Sequence, residues 1–282
     1  MPEGDTIFRH AARLRPLLVG APLLEVRHRG SRLHDLQGEH VVAIDTHGKH
    51  LWLRVSDGSA LHVHLGMEGG WTLLSPDGLA AQRWRVERAS LALIVGRGGA
   101  LCQDAPTAEV VRGPDAARGL AALGPDVLAP SPDVDEMLAR AYAPEGAGRA
   151  LGEVLLDQRV VAGIGNVWKS ELCFLERLDP RAAMGTVPRE RLRALLERAC
   201  RMMRLNVGGQ PRTTTVADPA HELPPAGIGR YWVYRKDGRP CPRCRAPIQR
   251  IVQGADAGRS TYFCAACVER AASEAANERS LR

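Results

Sequence analysis

Apolar residues near the start of the chain recur at Ile7, Ala11, Leu14 and Leu18, and this spacing predicts a helix from about Asp5 to Leu18. The rhythm then shortens. VVAIDTHGKHLWLRV and ALHVHLGM are β-rich segments joined by SDGS, whose Asp57-Gly58 pair suits a hairpin turn. SLALIVGRGGALCQD repeats the pattern with GRGG at its turn. Several strands with short connections predict a sandwich or barrel-like β domain after the opening helix. At ALGPDVLAPSPDVD the pattern breaks, and Gly124, Pro125, Pro130 and Pro132 mark a linker over 124–132. Helical periodicity follows in VDEMLARAYA, RALGEVLLDQRV, NVWKSELCFLERL and PRERLRALLERACRMMRLNV. A polar stretch from Gly208 to Gly229 reads as an exposed loop. The expected organisation is therefore α+β: a helix and β domain over 1–123, the linker, a helical domain over 133–229, a cysteine module over 230–270 and a charged, Ala-rich tail over 271–282. No internal repeat is visible.

Composition narrows the class. At 282 residues the chain is long enough for two cores, and 45% hydrophobic with 25% charged residues describes an ordinary soluble protein. No run is long and apolar enough to span a bilayer and no secretory leader is visible, so a cytoplasmic location is expected. The net charge of +6 points to an anionic partner. Only Lys49, Lys169 and Lys236 are lysines, so 35 of the 38 basic residues are arginine. Codon bias accounts for such a ratio, but arginine also suits phosphate contacts and cannot serve as a titrating amine.

The opening MPEGD admits two roles. Proline and acidic residues favour a helix start, where unpaired N–H groups and the dipole are positive. If Met1 is removed, Pro2 instead becomes a terminal secondary amine, nucleophilic near neutral pH and able to form an imine beside Glu3.

Cys102, Cys173 and Cys200 stand apart as buried thiols. Cys241, Cys244, Cys264 and Cys267 are arranged C-x2-C-x19-C-x2-C, the spacing of a tetrahedral Zn²⁺ site with no open position, hence one structural ion. Such an ion would fix the hairpin that carries Arg250, Arg259 and Tyr262. Upstream, Gly163, Gly165 and Asn166 precede an amphipathic helix. A helix start of this kind is either a capped turn or an anion site, with Asn166 adding a donor.

Taken in order, these stretches resemble the formamidopyrimidine-DNA glycosylase/endonuclease VIII family of DNA repair enzymes. MPEG is similar to the family's catalytic N-terminus, HGKHLWL to its strand lysine, HLGMEG to its lesion-side loop and LGPDVL to its interdomain segment. LLDQRVVAGIGNVWKSELCF resembles its helix–two-turn–helix, and YWVYRKDGRPCPRC through GRSTYFCAAC its zinc finger. The resemblance implies an N-terminal helix with a β-sandwich, then a helix–two-turn–helix domain ending in a zinc-finger hairpin. It implies a bifunctional glycosylase/AP lyase of base excision repair, acting as a monomer on damaged double-stranded DNA at the nucleoid. Pro2 would attack C1′ of the damaged nucleotide, Glu3 would supply acid/base function, and Lys49 would assist at the phosphate and in elimination. Met67 would fill the gap left by the flipped base. Asn166 and Arg259 would clamp the lesion phosphates, with His64 and Tyr234 as further DNA contacts.

Two departures bear on specificity. Thr6 stands where many relatives carry a second glutamate, and CQDAPTAEVVRGPD lacks the arginine–phenylalanine wedge of the formamidopyrimidine branch. Oxidised pyrimidines are therefore the expected lesions. A zinc-bearing DNA binder without catalysis would keep Asn166, Arg259 and the cysteines but would not need Pro2, Glu3 or Lys49. An abasic-site lyase preferring single strands would tolerate weak wedge residues.

Overall fold

The computed structural model describes residues 1–113, 121–216, 223–254 and 258–280, and the chain forms two compact units, 1–123 and 124–282. In the first unit, helix α1 (Gly4–Leu18) buries Ile7, Ala11, Leu14 and Leu18 completely, as their spacing requires. Strands β1 (Glu25–His28), β2 (Ser31–Arg32), β3 (Val41–His47), β4 (His50–Val55), β5 (Ala60–His64), β6 (Gly70–Leu74), β7 (Leu91–Val95), β8 (Gly98–Gln103) and β9 (Thr107–Val111) follow. They form two antiparallel sheets, ordered β2-β1-β7-β8-β6 and β3-β4-β5-β9.

Alternation along the strands decides which side chains meet. Leu51, Leu53, Leu61 and Val63 share one core with Leu91, Leu93 and Val95 of the other sheet and with the α1 stripe. That shared core makes the two sheets a sandwich. The intervening residues His50, Trp52, His62 and His64 lie on the opposite face of their sheet. VVAIDTHGKHLWLRV is two strands, folded back at Gly48-Lys49 so that His47 pairs with His50.

Helices α2 (Pro76–Ala81) and α3 (Arg83–Arg88) were not legible from periodicity, being about one and a half turns each. They cover the outer side of the larger sheet through a second small core of Leu79, Val86, Ala89, Ala92 and Leu101. A start signal was nonetheless present: Ser75 Oγ accepts from Gly78 N–H at 3.2 Å, with Pro76 next in line.

In the second unit, the stretch expected as a linker is bonded in rather than loose. Gly124 N–H donates to Gln158 at 2.8 Å, and Val127 N–H donates to Ala162 at 3.1 Å. Helix α4 (Val134–Ala141) starts with Asp133 accepting from Glu136 N–H at 2.9 Å. RALGEVLLDQRV keeps only one helical turn, α5 (Leu151–Val154). Asp157 ends the regular run by binding Arg149 and Arg159 side chains and the Arg159 N–H, which closes a tight turn. Helices α6 (Asn166–Leu175) and α7 (Arg189–Leu205) follow, then the hairpin β10 (Gln249–Gln253) and β11 (Arg259–Phe263). Helix α8 (Ala265–Ser280) runs through the expected 270/271 boundary, because the alanine-rich tail continues the helix begun beside the second cysteine pair. Four parts of the sequence reading lie outside the described residues: 217–222 of the 208–229 loop, 114–120 including the end of CQDAPTAEVVRGPD, 255–257 of the cysteine module, and the last two tail residues.

All ten residues of α6 are buried, including Glu171. Its carboxylate accepts from the N–H groups of Trp232, Val233 and Tyr234 at 2.7, 2.9 and 2.8 Å, and from the Thr214 hydroxyl. Burial pushes this carboxyl up, against the four hydrogen bonds that favour its charged form. No helix among the described residues is long and apolar enough to cross a membrane.

Two outcomes are expected. Glu171→Ala leaves three buried N–H groups without an acceptor and should destabilise the second unit by more than about 3 kcal/mol in denaturant melts. A loss below about 1 kcal/mol would show the clamp to be dispensable. In α1, burial first and then Arg13 and Arg9 push His10 down from 6.5 to about 4. The unfolded chain therefore binds a proton that the folded chain refuses. Stability is full above pH 6.5 and falls as the pH drops toward 4. Between pH 7 and 5 this residue should remove about 2 kcal/mol, and His10→Gln should flatten the pH dependence of the melt by that amount.

Candidate catalytic and phosphate-binding site

At the chain start, Pro2 is half-buried and Glu3 is 0% exposed. Glu3 occupies the cap position of α1 through its backbone: its carbonyl accepts from Thr6 and Ile7 N–H at 2.8 and 3.1 Å, while its carboxylate makes no capping bond to this helix. Capping of α1 therefore does not account for burying this side chain. Thr6, the departure noted above, turns its N–H to Asp5 Oδ1 at 2.8 Å and its hydroxyl to Arg9 at 3.2 Å.

Lys49 sits on the two-residue turn between β3 and β4, not within a strand. Gly48 takes φ +55°, the left-handed value that such a turn demands of its first residue. The turn is ringed by imidazoles. His50 stands opposite His64 in register, with ring centroids 4.9 Å apart, and opposite His47 on β3. Burial pushes His50 from 6.5 to about 3, helped by His64, His62, His47 and Lys49. Burial also lowers His64, with Lys49 and His62 adding to it. His50 and His64 are thus uncharged near neutral pH.

Met67 lies on the turn after β5 and is 52% exposed. Two glycines shape that turn. Gly66 has φ +62°, and a Cβ on Gly69 would lie 2.4 Å from Leu65 O. Within CQDAPTAEVVRGPD, Thr107–Val111 form strand β9, paired with β5.

In the second unit, Gly163 at φ +109° turns the chain into α6, whose first residue is Asn166. Asn166 is 5% exposed and its Nδ2 donates to Ser260 O at 2.6 Å, while its buried Oδ1 has no hydrogen-bond partner. Ser260 follows Arg259, which is exposed on β11. One hydrogen bond thus joins the helix start to the arginine-bearing strand of the hairpin, and the Ser170 hydroxyl adds a second joint by accepting from Tyr262 N–H at 3.3 Å. Arg250 Nε reaches the same place, donating to Ser260 Oγ at 3.0 Å. Tyr234 is only 8% exposed, edge-on to Tyr262 at 5.2 Å and to Tyr231 at 5.7 Å. It supports the hairpin from beneath.

Beyond the hairpin, the sulfur atoms of Cys241, Cys244, Cys264 and Cys267 lie within 4.8 Å of one another. Neighbouring pairs are 3.4 to 3.7 Å apart. A tetrahedral Zn–S bond of about 2.3 Å implies sulfur spacings of about 3.8 Å, so the four thiolates fit one ion and leave no position for a substrate.

The structure groups Lys49 with His64, and Asn166 with Arg259. Sequence reading missed Glu171, Ser260, and the residues His62 and Glu109 beside His50. Glu171 had a signal, a carboxylate amid the apolar positions of NVWKSELCF. Ser260 had none, since it acts through its carbonyl.

The whole chain has recognisable relatives. A family model described as the formamidopyrimidine-DNA glycosylase N-terminal domain matches residues 1–102, the H2TH domain of the same enzyme matches 123–217, and a zinc finger found in FPG and IleRS matches 238–270. Probable endonuclease 8 2 of Streptomyces coelicolor is 37% identical over 275 residues, covering 95% of this chain and 94% of that protein. DNA-(apurinic or apyrimidinic site) lyase Nei2 of Mycolicibacterium smegmatis is 38% identical over 271 residues, covering 95% and 98%. Among solved structures, MutM (FPG) from Thermus thermophilus aligns with a TM-score of 0.71 at 30% identity, covering 94% of this chain and 98% of that one. A Lactococcus lactis FPG variant in complex with Fapy-dG-containing DNA aligns with a TM-score of 0.75 at 22% identity, covering 94% and 99%, and speaks to the fold. Two sheets behind an N-terminal helix, a glycine turn opening a buried helix and a four-cysteine hairpin agree with these matches, and the chain belongs to the formamidopyrimidine-DNA glycosylase/endonuclease VIII family.

Proposed function

We propose that this protein is a bifunctional DNA glycosylase and AP lyase of base excision repair that removes oxidised pyrimidines. The observation that carries the catalytic part is the Glu3 carboxylate, fully buried without capping α1, next to the residue that Met1 removal turns into a terminal amine. The target nucleotide is flipped from the stack at a cost of a few kcal/mol. The Pro2 nitrogen attacks C1′ and the C1′–base bond breaks, the base leaving with a proton; the C1′–O4′ bond then breaks as the nitrogen lone pair forms the iminium, and O4′ takes up a proton. Glu3 moves protons at the sugar. The iminium acidifies C2′, whose proton is removed as the C3′–O bond breaks; a second elimination then breaks C5′–O. Lys49 faces the phosphate and assists these eliminations. The exposed Met67 fills the space left by the flipped base, and His64, uncharged, contacts phosphate as a neutral donor.

Asn166 and Arg259 grip the phosphates on either side of the lesion. The hydrogen bond from Asn166 to Ser260 supports this, since it holds a helix start and an arginine at one place. The ion bound by the four cysteines keeps the hairpin in shape and takes no part in the chemistry. Duplex DNA is the substrate, the protein works as a monomer in the cytoplasm at the nucleoid, and the MPEGD start and missing wedge favour pyrimidine lesions. A lyase acting chiefly on abasic sites is a second possibility, favoured by the name of the Mycolicibacterium relative.

Borohydride trapping tests the chemistry. Incubation with thymine glycol, 8-oxoguanine or abasic-site DNA, in duplex and single-stranded form, should give a cross-link that peptide mapping places on Pro2, with the thymine glycol duplex most productive among the base lesions. Trapping on abasic DNA alone would establish the lyase, and no adduct from protein lacking Met1 would leave only a DNA binder. Removing zinc with a chelator should weaken binding to abasic-site duplex by at least about tenfold, read by fluorescence anisotropy. The β signal of the first unit should persist in circular dichroism. Unchanged affinity would remove the hairpin from the DNA-binding surface.

A further inference from the structure

The outer face of the β3-β4-β5-β9 sheet carries a hydrogen-bonded chain that ends beside Lys49. Register places Trp52 opposite His62, and His62 opposite Glu109. Glu109 Oε1 lies 2.7 Å from His62 Nδ1, and His62 Nε2 lies 2.8 Å from His50 Nδ1. Trp52 stacks on His62 with centroids 4.0 Å apart, while the His50 ring, hydrogen-bonded to His62, lies within 18° of its plane with centroids 5.1 Å apart. Resting on the Lys49 assignment made above, we propose that Glu109, His62 and His50 form a positioning relay that fixes the tautomer of His50 and holds the Lys49 turn in place.

The chemistry of the chain sets its direction. A carboxylate only accepts, so His62 Nδ1 carries the proton toward Glu109. With His62 neutral, its Nε2 accepts from His50 Nδ1–H, which leaves His50 Nε2 as a lone pair. His50 follows Lys49 directly, and its ring is thereby tied across two strands to β9. A displacement of about 1 Å in a catalytic group can cost a hundredfold in rate. The groups facing this chain are His47 and Asp45 on β3, Arg54 on β4, His64 on β5, and Lys49 itself. Asp45 is occupied by Arg54 at 2.5 Å. Burial holds His50 and His64 uncharged beside Lys49.

Glu109 is suited to the test because its side chain is 54% exposed, so replacing it spares the core. Single-turnover cleavage of abasic-site duplex from about pH 5.5 to about pH 8.5, roughly one unit below to two units above the histidine midpoint, would be measured for wild type, Glu109→Ala, Glu109→Gln and Lys49→Ala, with ¹⁵N NMR of the histidine side chains. Glu109→Ala should slow cleavage about tenfold, alter the pH profile and abolish the protected His62 Nδ1–H signal. Glu109→Gln keeps an acceptor oxygen and should restore most of the rate. A protonated Nε2 with bare Nδ1 on His50 at neutral pH would overturn the relay. So would a fully active Glu109→Ala beside a defective Lys49→Ala. A Lys49→Ala protein as active as wild type would instead refute the role of Lys49, and the relay's purpose with it.

Discussion

One buried carboxylate organises the second unit of this protein. A charge taken out of water costs several kcal/mol unless it is fully hydrogen-bonded, and Glu171 meets that condition with three successive backbone N–H groups and a hydroxyl. Because the donors are consecutive, the Trp232–Tyr234 backbone is held against α6 as a unit. Trp232 Nε1 then donates to Thr214 O at 3.0 Å, which ties in the far side of the preceding loop. The same helix presents Asn166 at its start and Ser170 at its middle, and each bonds to the strand that bears Arg259. Helix start, aromatic support and hairpin arginine are positioned by one rigid element, whose ten residues are all buried.

The hairpin needs the metal because it has little core of its own. Along β10 only Gln253 is buried, so a two-strand element of this kind would be marginal in water. Four cysteines drawn together at its base supply what apolar burial does not, while α6 fixes its orientation. The first unit uses its small sheet differently. The inner face of β4 and β5 closes the sandwich, and the outer face carries histidines, a tryptophan and acids beside the Lys49 turn. Strand alternation makes this division possible without any insertion.

Long periodic segments were legible because burial of a repeated face leaves a repeated pattern: α1, α4 and α7, the strand-rich first unit and the cysteine pairs all follow their spacing. Short elements were not. α2 and α3 are too brief to show a period, and RALGEVLLDQRV lost its expected helix to the turn around Asp157. The expected linker looked loose because proline and glycine are shared by tethers and by extended segments that dock through their backbone. The tail boundary was misplaced because a metal-pinned turn and a helix start overlap at Ala265.

Residue chemistry and local spacing, which a chain carries regardless of its fold, therefore determined the family resemblance, the metal site and the candidates Pro2, Glu3, Lys49, Asn166 and Arg259. Tertiary structure decided what depends on residues distant in sequence meeting in space. It gave Glu171 its partners more than forty residues away, joined Asn166 to Ser260 across 94 positions, and set Glu109 against His62 across 47. Backbone groups make most of these joints, and every residue type has the same backbone, so the sequence alone carries no mark of them.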